Sequence, residues 1–159
     1  MKGSDRIIAT LNDLLADELT ATNQYMVHSE MCANWDYQQL HESIEKRAIV
    51  EMRHAEKLIA RILFLEGQPI VSRLREIRIG QDVPGQFRND LGLEMDAHRK
   101  YNQAVALAEE VRDSGTKDLL ESILKEEEAH IDNIEAQLDQ IKQMEVQNYL
   151  AMQIQEHKA

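Results

Sequence analysis

The residues of this chain best suited to chemistry form two triplets, each made of one glutamate and one Glu-x-x-His pair. The interval from the single glutamate to the pair is the same in both triplets, and one constant offset relates every residue of the first triplet to its counterpart in the second. In chain order the triplets are Glu18, Glu51 and His54, then Glu94, Glu127 and His130. Carboxylate oxygens and imidazole nitrogens ligate metals, so the repeat predicts two related helical hairpins that share a centre with two metal ions.

Helical periodicity predicts that all six side chains face one interior. In each of four apolar-periodic segments, steps of three and four residues lead from the apolar positions to the glutamate, as from Leu11 and Leu15 to Glu18. A histidine three residues after a glutamate lies on the same face. Four buried carboxylates repel one another, whereas two divalent cations balance their charge and neutral imidazoles add none. The charge balance therefore favours a metal pair.

The ligand types indicate which metals suit such a centre. Hard carboxylate oxygens with one imidazole per ion favour iron or manganese, although zinc can occupy the same ligands. One Glu-x-x-His pair in a Glu-rich helix is most often a solvated pair. Two pairs on apolar stripes, matched to two inward glutamates, fit the pattern of the di-iron and di-manganese helical bundles.

Long helices must position these residues. The chain has only six Gly and two Pro among 159 residues, and this composition favours helix over sheet. The first helix is predicted from a cap at Ser4 or Asp5 to about Asn34, the second from after Trp35-Asp36 to a stop at Gly67 and Pro69, the third from about Pro84 to Arg112, the fourth after a turn at Ser114-Gly115, and a short fifth over Val146 to Ile154.

The connection between the second and third predicted helices is long, over about residues 67–82. Roughly 15 extended residues reach about 45 Å, the length of a 30-residue helix, so the third helix can begin at the same end as the second. We therefore predict an all-α fold, a four-helix bundle with one long crossover between helices two and three and a short C-terminal fifth helix. The whole chain, residues 1–159, is predicted to be a single domain.

Composition excludes several classes of function. The net charge of −11 argues against nucleic acid as a partner. Cys32 is the only cysteine, which excludes an intramolecular disulfide and a Cys-x-x-Cys metal site and favours a reducing compartment. No apolar segment follows the first residues, and none approaches the roughly 18 residues of a membrane span. We expect a soluble, cytoplasmic protein with no membrane partner.

Six segments of the chain carry a resemblance to a known family. They are Leu11–Leu19, Asn23–Tyr25, Glu51–Ala55, Arg61–Gly67, Glu126–Asp132 and Gln147–Leu150. Through them the chain resembles a bacterioferritin over essentially its whole length. The resemblance implies a shell of 24 subunits, built from twofold dimers, that oxidises Fe(II) with oxygen or hydrogen peroxide at a dinuclear ferroxidase centre. It also implies storage of the ferric mineral inside the shell and a ferredoxin-type reductant for its release.

The resemblance implies a role for each residue of the two triplets. Glu51 and Glu127 bridge the two irons. The remaining ligands are Glu18 and His54 for one ion and Glu94 and His130 for the other. Tyr25, on the same face as Glu18, is placed to hydrogen-bond a ligand carboxylate or simply to pack in the core, and Tyr101 is its counterpart at the offset that relates the triplets.

The resemblance further implies a haem b shared between two subunits, with Met52 as axial ligand. From the residues alone, Met52 is expected to face outward with Ile49 and Ile59, because it follows Glu51 and lies about 100° around the helix from the metal face. Without the resemblance this would be interface packing. Plausible pocket neighbours on the first helix are Leu19, Asn23 and Met26.

The chain departs from the family at two places on the inner surface of the second helix. Some bacterioferritins carry a His and an Asp there as an extra iron site, and this chain has Lys46 and Val50. Neither a lysine nor a valine side chain is a usual iron ligand. We therefore expect iron to move inward by another route, such as the dinuclear centre itself. The other histidines, which lie off the inward stripe, are expected at the surface or an interface. These are His28, His41, His98 and His157.

Two other interpretations remain open from the residues. The same ligand set serves di-iron or di-manganese oxidases and peroxidases that form no storage shell, although these usually carry an extra domain or a substrate cavity. The remaining interpretation is a non-catalytic helical assembly protein with protonated inward glutamates.

Overall fold

Five helices build the computed structural model, which describes residues 1–154. They are α1 (Asp5–Asn34), α2 (Gln38–Phe64), α3 (Val83–Glu110), α4 (Ser114–Met144) and α5 (Val146–Ala151). Helix α1 pairs with α2 and α3 with α4, while α1 also contacts α3, α2 contacts α4, and α5 packs on α4. The all-α bundle with a crossover and a short fifth helix is confirmed. No helix in this part of the chain is long and apolar enough to cross a membrane.

The core consists of two apolar clusters, one toward each end of the bundle. The first contains the beginning of α1, the end of α2, the second half of α3 and the beginning of α4, with Leu15, Leu58 and Leu120 fully buried. The second contains the other halves of these helices together with Tyr149 of α5. The four buried glutamates lie between the clusters in sequence on every helix, so the polar centre interrupts the core at its middle.

Three helices end in the same way without glycine. Asp36, Glu66 and Arg112 follow α1, α2 and α3 with φ values of 61°, 62° and 57°. In each case the next residue donates its N–H back to a carbonyl in the last helical turn, as from Gly67 to Ile62 (2.9 Å). Glu66, and not Gly67, therefore takes the left-handed position that ends α2.

The turn between α3 and α4 also differs from the expectation. It comprises residues 111–113, and Ser114-Gly115 form the first turn of α4 because the carboxylate of Asp113 caps that helix. Asp82 caps α3, since its carboxylate accepts a hydrogen bond from the Gly85 N–H (2.8 Å). Helix α5 ends at Ala151, earlier than the predicted Ile154.

The crossover, residues 65–82, runs along α1 and is held by a ladder of buried polar side chains. Its backbone N–H groups donate to a side chain of α1 at four places. The donor and acceptor pairs are Ile70 to Asn12, Arg75 to Thr20, Arg78 to Gln24, and Gly80 to His28, at 2.8–3.0 Å. An extended segment has no internal partners for its amides, so α1 supplies them.

This ladder overturns the expectation for His28. The residue is fully buried, its Nε2 accepts from Gly80, and its Nδ1 lies 2.8 Å from Asp90 Oδ1. Of the other histidines, His41 is half-buried beside Ser29, and His98 is half-exposed beside Glu128. His157 lies outside the described residues.

The start of α4 is tied to α2 through one carboxylate. Asp113 accepts hydrogen bonds from the Thr116 N–H (3.0 Å), the Thr116 hydroxyl (2.6 Å) and Arg61 Nη2 (2.9 Å). Burial acts to raise the pKa of Asp113, but the hydrogen bonds from Thr116 and the charge of Arg61 hold that pKa below its usual value. The ionised carboxylate therefore stabilises both the cap and the contact between the hairpins.

Replacing Asp113 with alanine should lower the free energy of unfolding at neutral pH by about 1–2 kcal/mol, the usual cost of a lost N-cap. Because the folded-state pKa is depressed, this contribution is present above the unfolded pKa of about 3.9 and disappears as the pH falls through the folded value. Chemical denaturation of the parent and of Asp113→Ala at several pH values measures it. Asp118→Ala, at an exposed position of the same helix, is the control. An equal loss in both variants would contradict the assignment.

Candidate metal centre

Each of the four long helices contributes one glutamate to the middle of the bundle. Their residue exposures are 2% for Glu18 and 1% for Glu51, Glu94 and Glu127. Each glutamate continues the apolar stripe of its helix, so the packing that buries the stripe buries the carboxylate as well. Burial of four carboxylates at one place is costly unless charge compensates them.

The six predicted side chains converge as two overlapping groups. Ligand atoms of Glu18, Glu51, His54 and Glu127 all lie within 4.8 Å of one another. A second group, with the same spacing limit, comprises Glu51, Glu94, Glu127 and His130. Glu51 and Glu127 belong to both groups, as two bridging carboxylates must. The structure thus brings together all six residues that the repeat singled out.

Both histidines direct Nδ1 toward the carboxylates. His54 Nδ1 lies 3.0 Å from Glu51 Oε2, 2.8 Å from Glu127 Oε1 and 3.5 Å from Glu18 Oε2. His130 Nδ1 lies 3.0 Å from Glu51 Oε1 and 3.2 Å from Glu94 Oε1. Each imidazole therefore faces one glutamate shared by the two groups and the one glutamate found only in its own group, and His54 faces the second shared glutamate as well.

Two buried tyrosines support the centre across the hairpins. The hydroxyl of Tyr25, on α1, donates to Glu94 of α3, and the hydroxyl of Tyr101, on α3, donates to Glu18 of α1. Burial, followed by the charges of nearby carboxylates, raises the pKa of both hydroxyls well above the usual value, so both remain protonated donors. Glu18 and Glu94 are thus each oriented by a tyrosine of the opposite hairpin.

The pKa values show how strongly the carboxylates crowd one another. Burial and the charges of the other glutamates raise the pKa of Glu51 and of Glu127 well above the usual range. Burial also acts to raise the pKa of Glu94, but the nearby Glu127 and His130 side chains and the hydrogen bond from the Tyr25 hydroxyl bring it to about 2. Without cations, protons must therefore compensate part of the charge.

His54 carries part of that compensation. Burial acts to lower its pKa, but the close, negatively charged carboxylates of Glu127 and Glu18 raise the pKa to about 10. Divalent cations in the same place would displace this proton and those on the glutamates, because metal ligands must be deprotonated.

Unsatisfied oxygens provide a separate test of whether metal ions fit. Among residues 1–154, Glu94 Oε2 and Glu127 Oε1 are buried without a hydrogen-bond partner. His54 Nδ1 lies close to Glu127 Oε1, but not in hydrogen-bonding geometry. Buried carboxylate oxygens normally have partners, so two without them, both on residues of the ligand groups, suit cation coordination.

Two hollows reach the centre from different sides of the bundle. One, of about 250 Å³, opens between α1, α3 and the crossover, and all four glutamates contribute to its lining. Its lining also includes Asp17, whose carboxylate accepts hydrogen bonds from Lys100 Nζ (2.9 Å) and Arg75 Nε (3.0 Å). The other, of about 590 Å³, lies between α2 and α4 and is lined by His130, Lys46, Val50 and others.

Sequence reasoning missed one further residue at the centre. Glu126 Oε2 lies 2.9 Å from His54 Nε2, on the side of the imidazole away from the ligand cluster, and Glu126 Oε1 lies 3.6 Å from Lys57 Nζ. Glu126 belongs to a run of three glutamates at 126–128, a pattern typical of a solvated helix face. The position of Glu126, one residue before Glu127, was the signal that could have identified it.

Met52, the predicted haem ligand, lies on the exposed side of α2. Its side chain is exposed, as are those of Ile49 and Met26. The structure therefore places Met52 on a different face of α2 from Glu51 and His54, as the helical phase predicted.

Comparison with known proteins points to one family. The Ferritin-like domain profile matches residues 8–144. A bacterioferritin of Mycolicibacterium paratuberculosis is 41% identical over 151 residues, which cover 95% of each chain. A bacterioferritin of Brucella melitensis is 38% identical over 149 residues, covering 94% of this chain and 92% of the relative. One from Rhodobacter capsulatus is 40% identical over 138 residues, covering 87% and 86%.

Removing either tyrosine hydroxyl should weaken metal binding. We expect Tyr25→Phe and Tyr101→Phe each to reduce the affinity of the metal-free protein for Co(II) by about 10–100-fold, the usual effect of losing a hydrogen bond to a ligand. Calorimetric titration under nitrogen measures this. Tyr149→Phe is a matched control, because that buried hydroxyl bonds Gln137 away from the centre. Equal affinities in all three variants would contradict a role for the tyrosines.

Proposed function

Since this chain belongs to the bacterioferritins, within the ferritin-like domain family, we propose that it stores iron and oxidises Fe(II) to Fe(III) at the six-residue centre. The observation that carries the proposal is the pair of overlapping ligand groups that share Glu51 and Glu127. The oxidant is oxygen or hydrogen peroxide, and the ferric product accumulates as mineral within a shell of 24 subunits. We further propose cytoplasmic localisation and a ferredoxin-type reductant for release.

The proposed ligand roles follow the two groups. Glu51 and Glu127 bridge the two Fe(II) substrates, Glu18 and His54 complete the ligands of one ion, and Glu94 and His130 complete those of the other. Four carboxylates and two neutral imidazoles neutralise two Fe(II) ions. Oxygen-rich sites with some imidazole suit Fe(II), which supports iron as the ion bound.

Holding two Fe(II) ions together makes two electrons available in one encounter. Each Fe(II) gives up one electron, so a pair reduces O₂ with two protons to hydrogen peroxide, or hydrogen peroxide with two protons to two waters. The protein acts as a template for the ion pair. Tyr25 and Tyr101 orient the terminal glutamates, and the two apolar clusters pack the bundle on either side of the centre.

The two hollows support a path for iron through the centre. We propose that Fe(II) arrives by the hollow between α1 and α3, whose lining includes the four glutamates. The product leaves by the hollow between α2 and α4, where His130 is accessible and Lys46 and Val50 provide no further iron ligands. This is the inward route through the dinuclear centre that the two departures from the family favour.

We also propose that Met52 is the axial ligand of a haem b shared between two subunits. Its thioether is an established type of haem ligand. Its exposure beside Ile49 leaves it accessible to the same methionine of a second subunit. When bound, the haem would supply a one-electron redox group. The protein's part is to hold it by the sulfur and to cover it with apolar side chains.

Replacing Glu127 with alanine should abolish rapid oxidation of Fe(II). We expect a fall in initial rate of roughly 100-fold or more, because a bridging ligand does more for the ion pair than a supporting contact, whose loss usually costs about 10–100-fold. Absorbance of the ferric product in stopped-flow experiments measures the rate. Glu128→Ala removes the adjacent carboxylate, which contacts His98 instead, and serves as control. Parent-like oxidation by Glu127→Ala would refute the dinuclear mechanism.

The mass of the particle in the same preparations also distinguishes iron storage from the alternative, a di-iron or di-manganese oxidase without a shell. A particle of 24 chains, each 18.4 kDa, has a mass of roughly 440 kDa. A monomer or dimer would favour the alternative. An assembled Glu127→Ala particle would in addition show that lost activity does not reflect lost assembly.

The haem ligand has its own test. We expect Met52→Leu to lose the Soret absorption of the purified protein while Fe(II) oxidation continues, because Met52 lies outside the dinuclear ligand set. Met95→Leu, an exposed methionine on α3, is the matched control and should keep the band. A Soret band retained by Met52→Leu would rule out this ligand.

A further inference from the structure

The two halves of the metal centre are equivalent in their ligands but not in what supports them. Under the constant offset that relates the triplets, Glu127 corresponds to Glu51 and His130 to His54. The same offset relates Glu126 to Val50. A carboxylate therefore precedes the bridging glutamate on α4, whereas an aliphatic side chain takes the equivalent place on α2.

This difference changes how the two imidazoles are held. The Nε2 of His54 lies 2.9 Å from Glu126, whose other oxygen lies 3.6 Å from Lys57. Within residues 1–154, by contrast, all hydrogen bonds and ion pairs of His130 involve Nδ1. Val50 has no polar atom with which to hold Nε2.

The two imidazoles also differ in their exposure to solvent. The His54 side chain is fully buried, whereas that of His130 is 14% exposed. The hollow of about 590 Å³ between α2 and α4 is lined by His130 and Val50 and does not include His54. Solvent and diffusing ligands therefore have access to only one of the two imidazoles from this side.

We propose that Glu126 is a positioning residue that anchors His54, and that Val50 leaves His130 unanchored, so the two ions are held unequally. The ion bound through Glu18 and His54 is the retained ion. The ion bound through Glu94 and His130 is the exchangeable one and passes through the hollow beside Val50. This inference rests on the proposed dinuclear function and adds a division of labour between its halves.

Physical chemistry gives the direction and size of the effect. A carboxylate that accepts the second N–H of a ligating imidazole fixes the ring's tautomer and orientation and makes the ligating nitrogen more basic. Loss of such a contact usually reduces metal affinity by about 10–100-fold. The half that contains Val50 lacks this contact in the parent protein.

The test is a titration of the metal-free assembled protein with Co(II) under nitrogen, followed by visible absorption and competition with a chelator. We expect two ions per chain, with dissociation constants that differ by about tenfold or more. Glu126→Ala should weaken the tighter step by about 10–100-fold and leave the weaker step unchanged. Glu126→Gln, whose amide oxygen still accepts a hydrogen bond, should restore part of the loss.

The reciprocal variant tests the other half. Val50→Asp should strengthen the weaker step by a similar factor, and Val50→Asn, which adds an acceptor without a charge, should strengthen it less. Val50 is partly exposed at the hollow, so either side chain can be solvated. Glu128→Ala, which removes a carboxylate that contacts His98, should change neither step.

The titrations distinguish failure of the unequal halves from failure of the proposed dinuclear centre. Equal constants in the parent, an equal effect of Glu126→Ala on both steps, or no effect of Val50→Asp would each overturn the unequal halves and leave the dinuclear centre intact. Fewer than two Co(II) ions per chain in the parent would instead overturn the dinuclear centre itself.

Discussion

The burial of four carboxylates at one point governs this structure. Carboxylates in an apolar interior repel one another and lack water, so the fold is favourable only if protons or cations compensate their charge. Two observations show this need for compensating charge. One oxygen of Glu94 and one of Glu127 have no hydrogen-bond partner, and the pKa of Glu51 is raised. The apolar clusters on either side of the glutamates provide the stability that lets the core tolerate it.

The crossover allows the glutamates to converge. An antiparallel arrangement with short turns throughout would direct α3 the other way along α2, and the second triplet would not approach the first in the same orientation. The extended segment instead runs the length of α1, where Thr20, Gln24 and His28 accept hydrogen bonds from its amides. The buried polar residues of α1 are thus part of the architecture that places the metal ligands.

The fold class and the six ligand residues could be predicted because both depend on local periodicity. A helix has a fixed number of residues per turn, so spacing alone places Glu18 and Glu94 on the inward face. The buried state of His28 could not be predicted in this way. Its partners are Gly80, an amide far along the chain, and Asp90, and neither is implied by the periodicity of α1.

The crossed tyrosines have a consequence for how the two halves of this chain can change. Tyr25 holds the glutamate of the second hairpin and Tyr101 that of the first. Sliding one hairpin along the other by a single turn, about 5.4 Å, would separate both donors from their acceptors at once. A substitution or a shift in helix register in one hairpin therefore breaks a hydrogen bond to the other hairpin. Such a change can persist only if the other hairpin changes to match it.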